Sequence, residues 1–219
     1  MDAVKPKRTL VQDTYDILID AICTGEFKSG ERLNQDEIAA KLNVSRQPVN
    51  SAISILKANG LVEDTGRRGV VVTSFDRDLF CSIYEYRIII EPFAVRLAGK
   101  FLTPRDCRLA DTVLNAGKKA LKHGSLRELV RSDMMFHEMI YGWSRNQVIE
   151  TSMRNNWHHI RRSMVEVLRD PRAIVSVWEQ HTEIVETLFD GRPDDAAEIM
   201  ERHIGTSYQS IIIGLERPK

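Results

Sequence analysis

Apolar positions in the first third of the chain follow a helical period. Leu10, Val11, Ile17, Leu18, Ala21 and Ile22 fall on one face of a helix that Gly25 ends. Between Gln35 and Ala52, the residues Ile38, Leu42, Val44, Val49 and Ala52 stand where two helices crossing at a tight turn need apolar contacts, and Ala39 is small where they approach most closely. Asn43 occupies the turn position that requires a left-handed backbone, which Asn tolerates better than most residues. Ser45 is suited to cap the second helix, and Pro48 to lie in its first turn, where a missing N–H costs little. The pattern predicts a helix-turn-helix whose second helix continues through Ile53, Ile55 and Leu56 to Gly60. Leu61-Val62-Glu63 and Val70-Val71-Val72 then predict two short strands around Asp64–Gly69, with Gly66 and Gly69 permitting the turn and Arg67-Arg68 at its tip. A basic hairpin directly after a recognition helix is a wing, whose arginines reach phosphate or the minor groove.

Beyond residue 75 the period is helical throughout. Asp76–Lys100 is a long helix with Asp76 as cap and an expected kink at Pro92. Thr103-Pro104-Arg105-Asp106 has the form of a fresh helix start, and Ser125-Leu126-Arg127-Glu128 that of a capping box. A further helix is expected around Asn146–Leu168, another from Asp170-Pro171 to Gly191, and a last one from Pro193-Asp194-Asp195. The expected architecture is mainly α: a basic tail (1–8), a winged helix-turn-helix (9–75) and an all-α bundle of about six helices (76–219).

Composition narrows the class without changing it. With 42% hydrophobic and 28% charged residues, the 219-residue chain has the make-up of a soluble globular protein. No apolar run approaches the ~20 residues of a membrane span, and no signal-peptide core follows the charged Met1–Arg8. Cys23, Cys81 and Cys107 form no C-x-x-C pair, so neither a disulfide framework nor a cysteine metal site is expected, and a reducing cytoplasm is the simplest location. Net charge is zero, and Met1–Phe75 holds ten Lys/Arg against ten Asp/Glu. The asymmetry is local: Lys41–Ser74 carries Lys41, Arg46, Lys57, Arg67 and Arg68 against only Glu63 and Asp64. Such a patch supplies phosphate contacts even when the domain average does not.

Ligand-type residues are concentrated in the C-terminal helices. Asp133 and His137 are four apart and share a helix face, while His181 and His203 lie on two later helices. Three helices can bring one carboxylate and three imidazoles to one point, a set suited to Zn²⁺ or Ni²⁺. Met134, Trp178 and Met200 stand three residues before the histidines, where a di-iron carboxylate bundle would need Glu, which argues against oxidation chemistry. His123, His158 and His159 read as surface or polar-network residues. Trp157, Trp178, Met134, Met153 and Met200 either line a pocket or fill the core, and Trp178 is retained as a candidate for contact with a ligand.

Two stretches carry a resemblance. Asn43-Val44-Ser45-Arg46-Gln47-Pro48-Val49, then Leu56, Gly60-Leu61-Val62 and Arg67-Arg68-Gly69, resembles the winged helix of GntR-family bacterial transcription regulators over roughly residues 10–75. The resemblance implies DNA contact through Ser45, Arg46, Gln47, Asn50, Arg67 and Arg68. One departure stands out: the family usually has Arg-Glu-Ala after Pro-Val, and this chain has Asn50-Ser51-Ala52. Asn pairs with adenine where Arg pairs with guanine, which puts the family's usual operator in doubt. Tyr84-Glu85-Tyr86-Arg87 with Glu91-Pro92, together with Asp133, His137, His181 and His203, resembles the FCD effector domain of the FadR subgroup. That domain is an antiparallel helical bundle, and in metal-containing members the four positions hold a divalent ion at the base of a cavity. By the same resemblance Arg87 faces an effector carboxylate, and Asn146 matches a common helix-start asparagine near the site.

These readings converge on a metabolite-responsive regulator: a homodimer on a roughly palindromic operator, with a metal-bearing bundle that binds a small organic acid. Two alternatives stand beside it. One is a metalloenzyme acting on a small carboxylate, against which no general base in a His-Glu-x-x-His arrangement appears. The other is an architectural DNA-binder whose metal-free bundle only dimerises. Assay of candidate acids for turnover tests the first, and metal analysis the second.

Overall fold

The computed structural model describes residues 9–66, 69–123, 126–167 and 171–216. The tail 1–8, the wing-tip pair Arg67-Arg68, the cap Ser125 and the helix start Asp170 lie outside the described residues. The chain divides into two compact units, Met1–Phe75 and Asp76–Lys219.

The first unit contains α1 (Leu10–Thr24), α2 (Gln35–Leu42) and α3 (Arg46–Ala58) with strands β1 (Arg32–Leu33), β2 (Val62–Asp64) and β3 (Val70–Val72). Asn43 ends α2 in the left-handed region at φ 52°, as the turn required. Val49, Ala52 and Leu56 on the inner face of α3 are fully buried against α1 and α2, and a Leu-sized side chain removed from water contributes about 1.5–3 kcal/mol. β3 lies between β1 and β2, antiparallel to both, with Val62 opposite Val72 and Arg32 opposite Val71. The wing hairpin is therefore present, its first strand one residue later than the sequence pattern placed it. The edge strand β1 was not expected.

Ser45 holds the N-cap position of α3, but its side chain makes no capping hydrogen bond. Of the two positions whose amides an N-cap oxygen can accept from, Pro48 has no N–H to offer and that of Gln47 is not used. The hydroxyl stays exposed.

The second unit is all-helical among the described residues: α4 (Arg77–Ala98), α5 (Asp106–His123), α6 (Leu126–Ser144), α7 (Gln147–Val167), α8 (Pro171–Phe189) and α9 (Pro193–Glu216). α4 packs against α6, α7 and α9, while α5 packs against α6 and α8. Asp76 caps α4 by accepting from the Leu79 amide at 2.9 Å, and the helix continues through Pro92. α5 starts at Asp106 rather than at Thr103. The Asp106 carboxylate reaches back to accept from the Thr103 amide and hydroxyl at 2.8 and 2.7 Å, closing a turn ahead of the helix. At Gly117 a Cβ would lie 2.1 Å from the Trp178 ring, so only glycine lets α5 and α8 approach this closely. No helix among the described residues is long and apolar enough to cross a membrane.

Candidate functional site

α6 carries Asp133 and His137 one turn apart, both buried, and α8 and α9 contribute the buried His181 and His203. One ring nitrogen from each of the three histidines lies within 4.8 Å of the others. His181 Nε2 is 3.2 Å from His203 Nε2. The Asp133 carboxylate joins them, with Oδ2 at 3.6 Å from His137 Nε2 and Oδ1 at 3.6 Å from His181 Nε2.

Outer contacts orient two of the rings. Glu91 of α4 takes His137 Nδ1 at 2.6 Å and holds Arg87 Nε at 2.5 Å. Burial pushes the Glu91 carboxyl up, but Arg87 and His137 outweigh it and hold it below the usual carboxylate range. An ionised Glu91 can only accept, so Nδ1 of His137 carries a proton, and Nε2 is the ring atom turned towards Asp133. Gln180 Oε1 lies 3.0 Å from His203 Nδ1 and fixes that ring the same way. His181 has no such partner: its Nδ1 makes no hydrogen bond. It is held by packing instead, stacked on Phe136 at 3.7 Å between ring centroids and met edge-on by Trp178 at 4.8 Å.

The donor set fits a divalent ion. Asp133 Oδ2 and His137 Nε2 are buried without any hydrogen-bond partner, an arrangement that costs stability unless something accepts their electrons. Bonds of about 2.0–2.2 Å in a tetrahedral set put neighbouring donors roughly 3.3–3.6 Å apart, close to the 3.2 and 3.6 Å separations seen here. Burial lowers the His181 basicity well below normal, with His203 and His137 adding to it. His203 is lowered well below normal by burial and by His137. Both rings are thus neutral, the form that ligates. Burial pushes Asp133 up to about 6 against the pull of His137 and Arg87.

The residues expected to meet an effector fare differently. Arg87 is buried beside this centre, stacked over Tyr84 at 4.7 Å, and its charge is already met by Glu91. The cavity it shares with Tyr84, Asp133, His137 and His203 measures only about 10 Å³, room for one water or ion. Asn146 caps α7, accepting from the Val148 and Ile149 amides at 3.1 and 3.3 Å, and lines none of this cavity. Trp178 is buried against Gly117 and His181. Its contact is with the His181 ring rather than with this cavity.

In the first unit α3 presents an exposed stripe. Arg46, Asn50 and Ser54 recur at helical spacing, with the half-buried Lys57 at its end. Ser45 and Gln47 are exposed beside Arg46. Arg46 is ion-paired with Asp36 of α2, and Lys57 with Asp64 of β2. A groove of about 820 Å³ runs along this stripe, bounded by β1, the start of α2 and β3.

Comparison with known proteins places both units. The family described as "Bacterial regulatory proteins, gntR family" matches residues 10–72, and the FCD domain matches residues 82–206. The chain belongs to the GntR family of regulators and carries an FCD domain. Among its relatives are an uncharacterized HTH-type transcriptional regulator, YdhC of Bacillus subtilis (27% identical, covering 94% of this chain and 92% of the relative), and the Nta operon transcriptional regulator of Aminobacter aminovorans (29%, covering 85% and 87%). The same fold occurs in McbR/YncC of E. coli, at TM-score 0.75 and 22% identity over 93% of this chain and 99% of that one. It occurs also in a putative GntR regulator from Rhodococcus sp. RHA1, at TM-score 0.77 and 24% identity over 94% and 99%. This GntR-family chain is therefore a transcriptional regulator with a DNA-binding unit and a ligand-binding FCD unit. Its relatives and domains are those of regulators, not enzymes.

Two residues that orient the candidate centre were given no role in the sequence reading. Glu91 was visible as an acid inside the apolar run Ile88–Val95, one helical turn after Arg87. Gln180 gave no signal, because it acts across to His203 from a different helix.

Proposed function

We propose that this regulator binds a roughly palindromic operator as a homodimer, with residues 9–75 reading DNA and residues 76–219 dimerising and binding effector. One divalent ion, Zn²⁺ or Ni²⁺, is held by Asp133, His137, His181 and His203. The convergence of these four buried donors, three of them with an unpartnered atom, is the observation that carries the reading. When bound, the ion would supply a fixed positive charge in the cavity that Arg87 also lines, and it could take an acid oxygen only by adding a ligand to the four protein donors. That combination of charges favours a small organic acid as effector. A cavity of about 10 Å³ does not admit one, so the acid enters only with displacement of α4 from α9 or of the Glu91 side chain from Arg87. Such a displacement biases DNA affinity only if the acid binds the two arrangements unequally. For DNA, Ser45, Arg46 and Gln47 face phosphate or base edges and Asn50 reads bases, with Arg67 and Arg68 supplying wing contacts.

Elemental analysis of the purified protein tests the centre. About one divalent ion per chain is expected, and none in the His181→Ala/His203→Ala double variant, since imidazole is the main nitrogen donor there. Full occupancy in that variant rules the site out.

A further inference from the structure

Both cations of the α3 stripe are already neutralised within the unit. Arg46 at the start of α3 pairs with Asp36 in the first turn of α2, and Lys57 near its end pairs with Asp64 Oδ2 at 2.5 Å. Asp36 and Asp64 both line the groove that also contains Asn50 and Lys57. The Arg46–Asp36 pair is well exposed, at 69% and 57%, so DNA has access to it. These two pairs explain how a unit with five cations against two acids over Lys41–Ser74 shows its reading helix without bare charge: Asp36 lies outside that stretch but folds onto it.

We propose that Asp36 attenuates DNA binding by competing with phosphate for Arg46. Asp64 does the same for Lys57, more weakly because Lys57 is less exposed. The proposal rests on the reading of Arg46 as a DNA contact. Non-specific binding depends almost wholly on phosphate neutralisation, whereas specific binding adds base contacts that seat the helix. A carboxylate on Arg46 must be displaced before a phosphate can replace it, and that exchange returns little. A complex that needs Arg46 on phosphate must give up the whole Arg46–Asp36 pair, while a looser complex can leave it intact. Asp36 therefore lowers affinity for DNA in general, and for a fully seated complex at least as much as for random DNA. Its position suits the role: the N-terminal turn of α2, capped by Asn34, stabilises a negative charge there without help from Arg46.

The test uses the full-length protein, a duplex enriched from a random pool by the wild type, and a random-sequence duplex of equal length. Affinities are measured across a salt series. Asp36→Asn is expected to raise affinity for the random duplex roughly two- to fivefold and to steepen its salt slope by about one unit. The gain on the enriched duplex is at least as large, because full seating of α3 has to break the pair. In an Arg46→Ala background the Asp36→Asn gain disappears. Glu26→Gln, an exposed acid on the same unit, serves as a control for net charge. Unchanged or weaker binding by Asp36→Asn, or a gain no larger than that of Glu26→Gln, overturns the proposal while leaving Arg46 a DNA contact if Arg46→Ala still weakens binding. If Arg46→Ala binds both duplexes as the wild type does, the underlying reading of Arg46 fails, and the proposal with it. Thermal unfolding of each variant separates any loss of binding from loss of fold.

Discussion

The two units place ion pairs in opposite environments. In the DNA-binding unit Arg46 and Asp36 meet at the surface, where water and salt compete for both partners. In the FCD unit Arg87 and Glu91 are 2% and 0% exposed and continue into His137. An exposed pair contributes about 0–1 kcal/mol and is readily exchanged for another partner. A buried pair adds little over an apolar pair of the same shape, but removing one partner costs about 3–5 kcal/mol, because the other charge is stranded. The same chemistry thus gives an exchangeable contact in one unit and a fixed scaffold in the other. A surface that must accept a new polyanion suits the first arrangement, and a centre that must hold ligand geometry suits the second.

The largest test of that contrast is Glu91→Ala. It leaves Arg87 and His137 Nδ1 without their partner, and denaturant unfolding is expected to show a loss of about 3–5 kcal/mol. Metal affinity, followed by competition with a chelator, falls by roughly 10–100-fold. Asp36→Ala should cost less than about 1 kcal/mol in the same unfolding measurement. Equal losses for the two variants would abolish the distinction between the units.

A smaller effect is expected at Asn50, which sharpens the exchangeable side of the comparison. Asn50→Arg restores a long bidentate donor on the exposed stripe and shifts preference towards G·C at one position per half-site, by about 1–3 kcal/mol. Selection of sites from random DNA measures this. Identical preferred sites for both proteins would show that residue 50 reads no base.

The smallest effect concerns pH and belongs to the fixed side. His181 and His203 are held neutral by burial and need lose no proton to ligate, whereas Asp133, pushed up to about 6, must. Metal affinity is therefore expected to be flat above about pH 7 and to fall roughly tenfold per unit once pH drops below the Asp133 value, as one proton competes with the ion. In metal-free protein the signs differ. The two lowered imidazoles contribute stability above their unfolded value of about 6.5 and lose it as pH falls through and below that value. The raised Asp133 contributes stability at acid pH and loses it as pH rises through about 6. Isothermal titration with Zn²⁺ at several pH values decides the first point, since a multi-proton dependence would mean that the imidazoles are not held neutral.

Much of this was legible because local chemistry and tertiary placement agreed. Asn43 announced its left-handed turn, Asp76 its cap, and Gly191 with Pro193 the break before α9. Asp133 and His137 could be paired by spacing alone, and the family resemblance joined His181 and His203 to them. What escaped the sequence was set by distant partners. β1 is two residues long and exists because β3 pairs with it, so it has no alternation to read. Asn146 stood in the right place for a ligand contact but serves its own helix. Ser45 had the right side chain for a cap, but Pro48 removed one of the two amides it could have taken and it bonds to neither.

Gly117 gives the geometry of the candidate centre a remote dependency. α5 carries none of the four candidate donors, yet the absence of a side chain at Gly117 is what lets the Trp178 indole settle edge-on against His181. His181 is the imidazole with no hydrogen bond on its second nitrogen. A single methyl group on α5, a helix with none of the four candidate donors, would thus reach the orientation of His181.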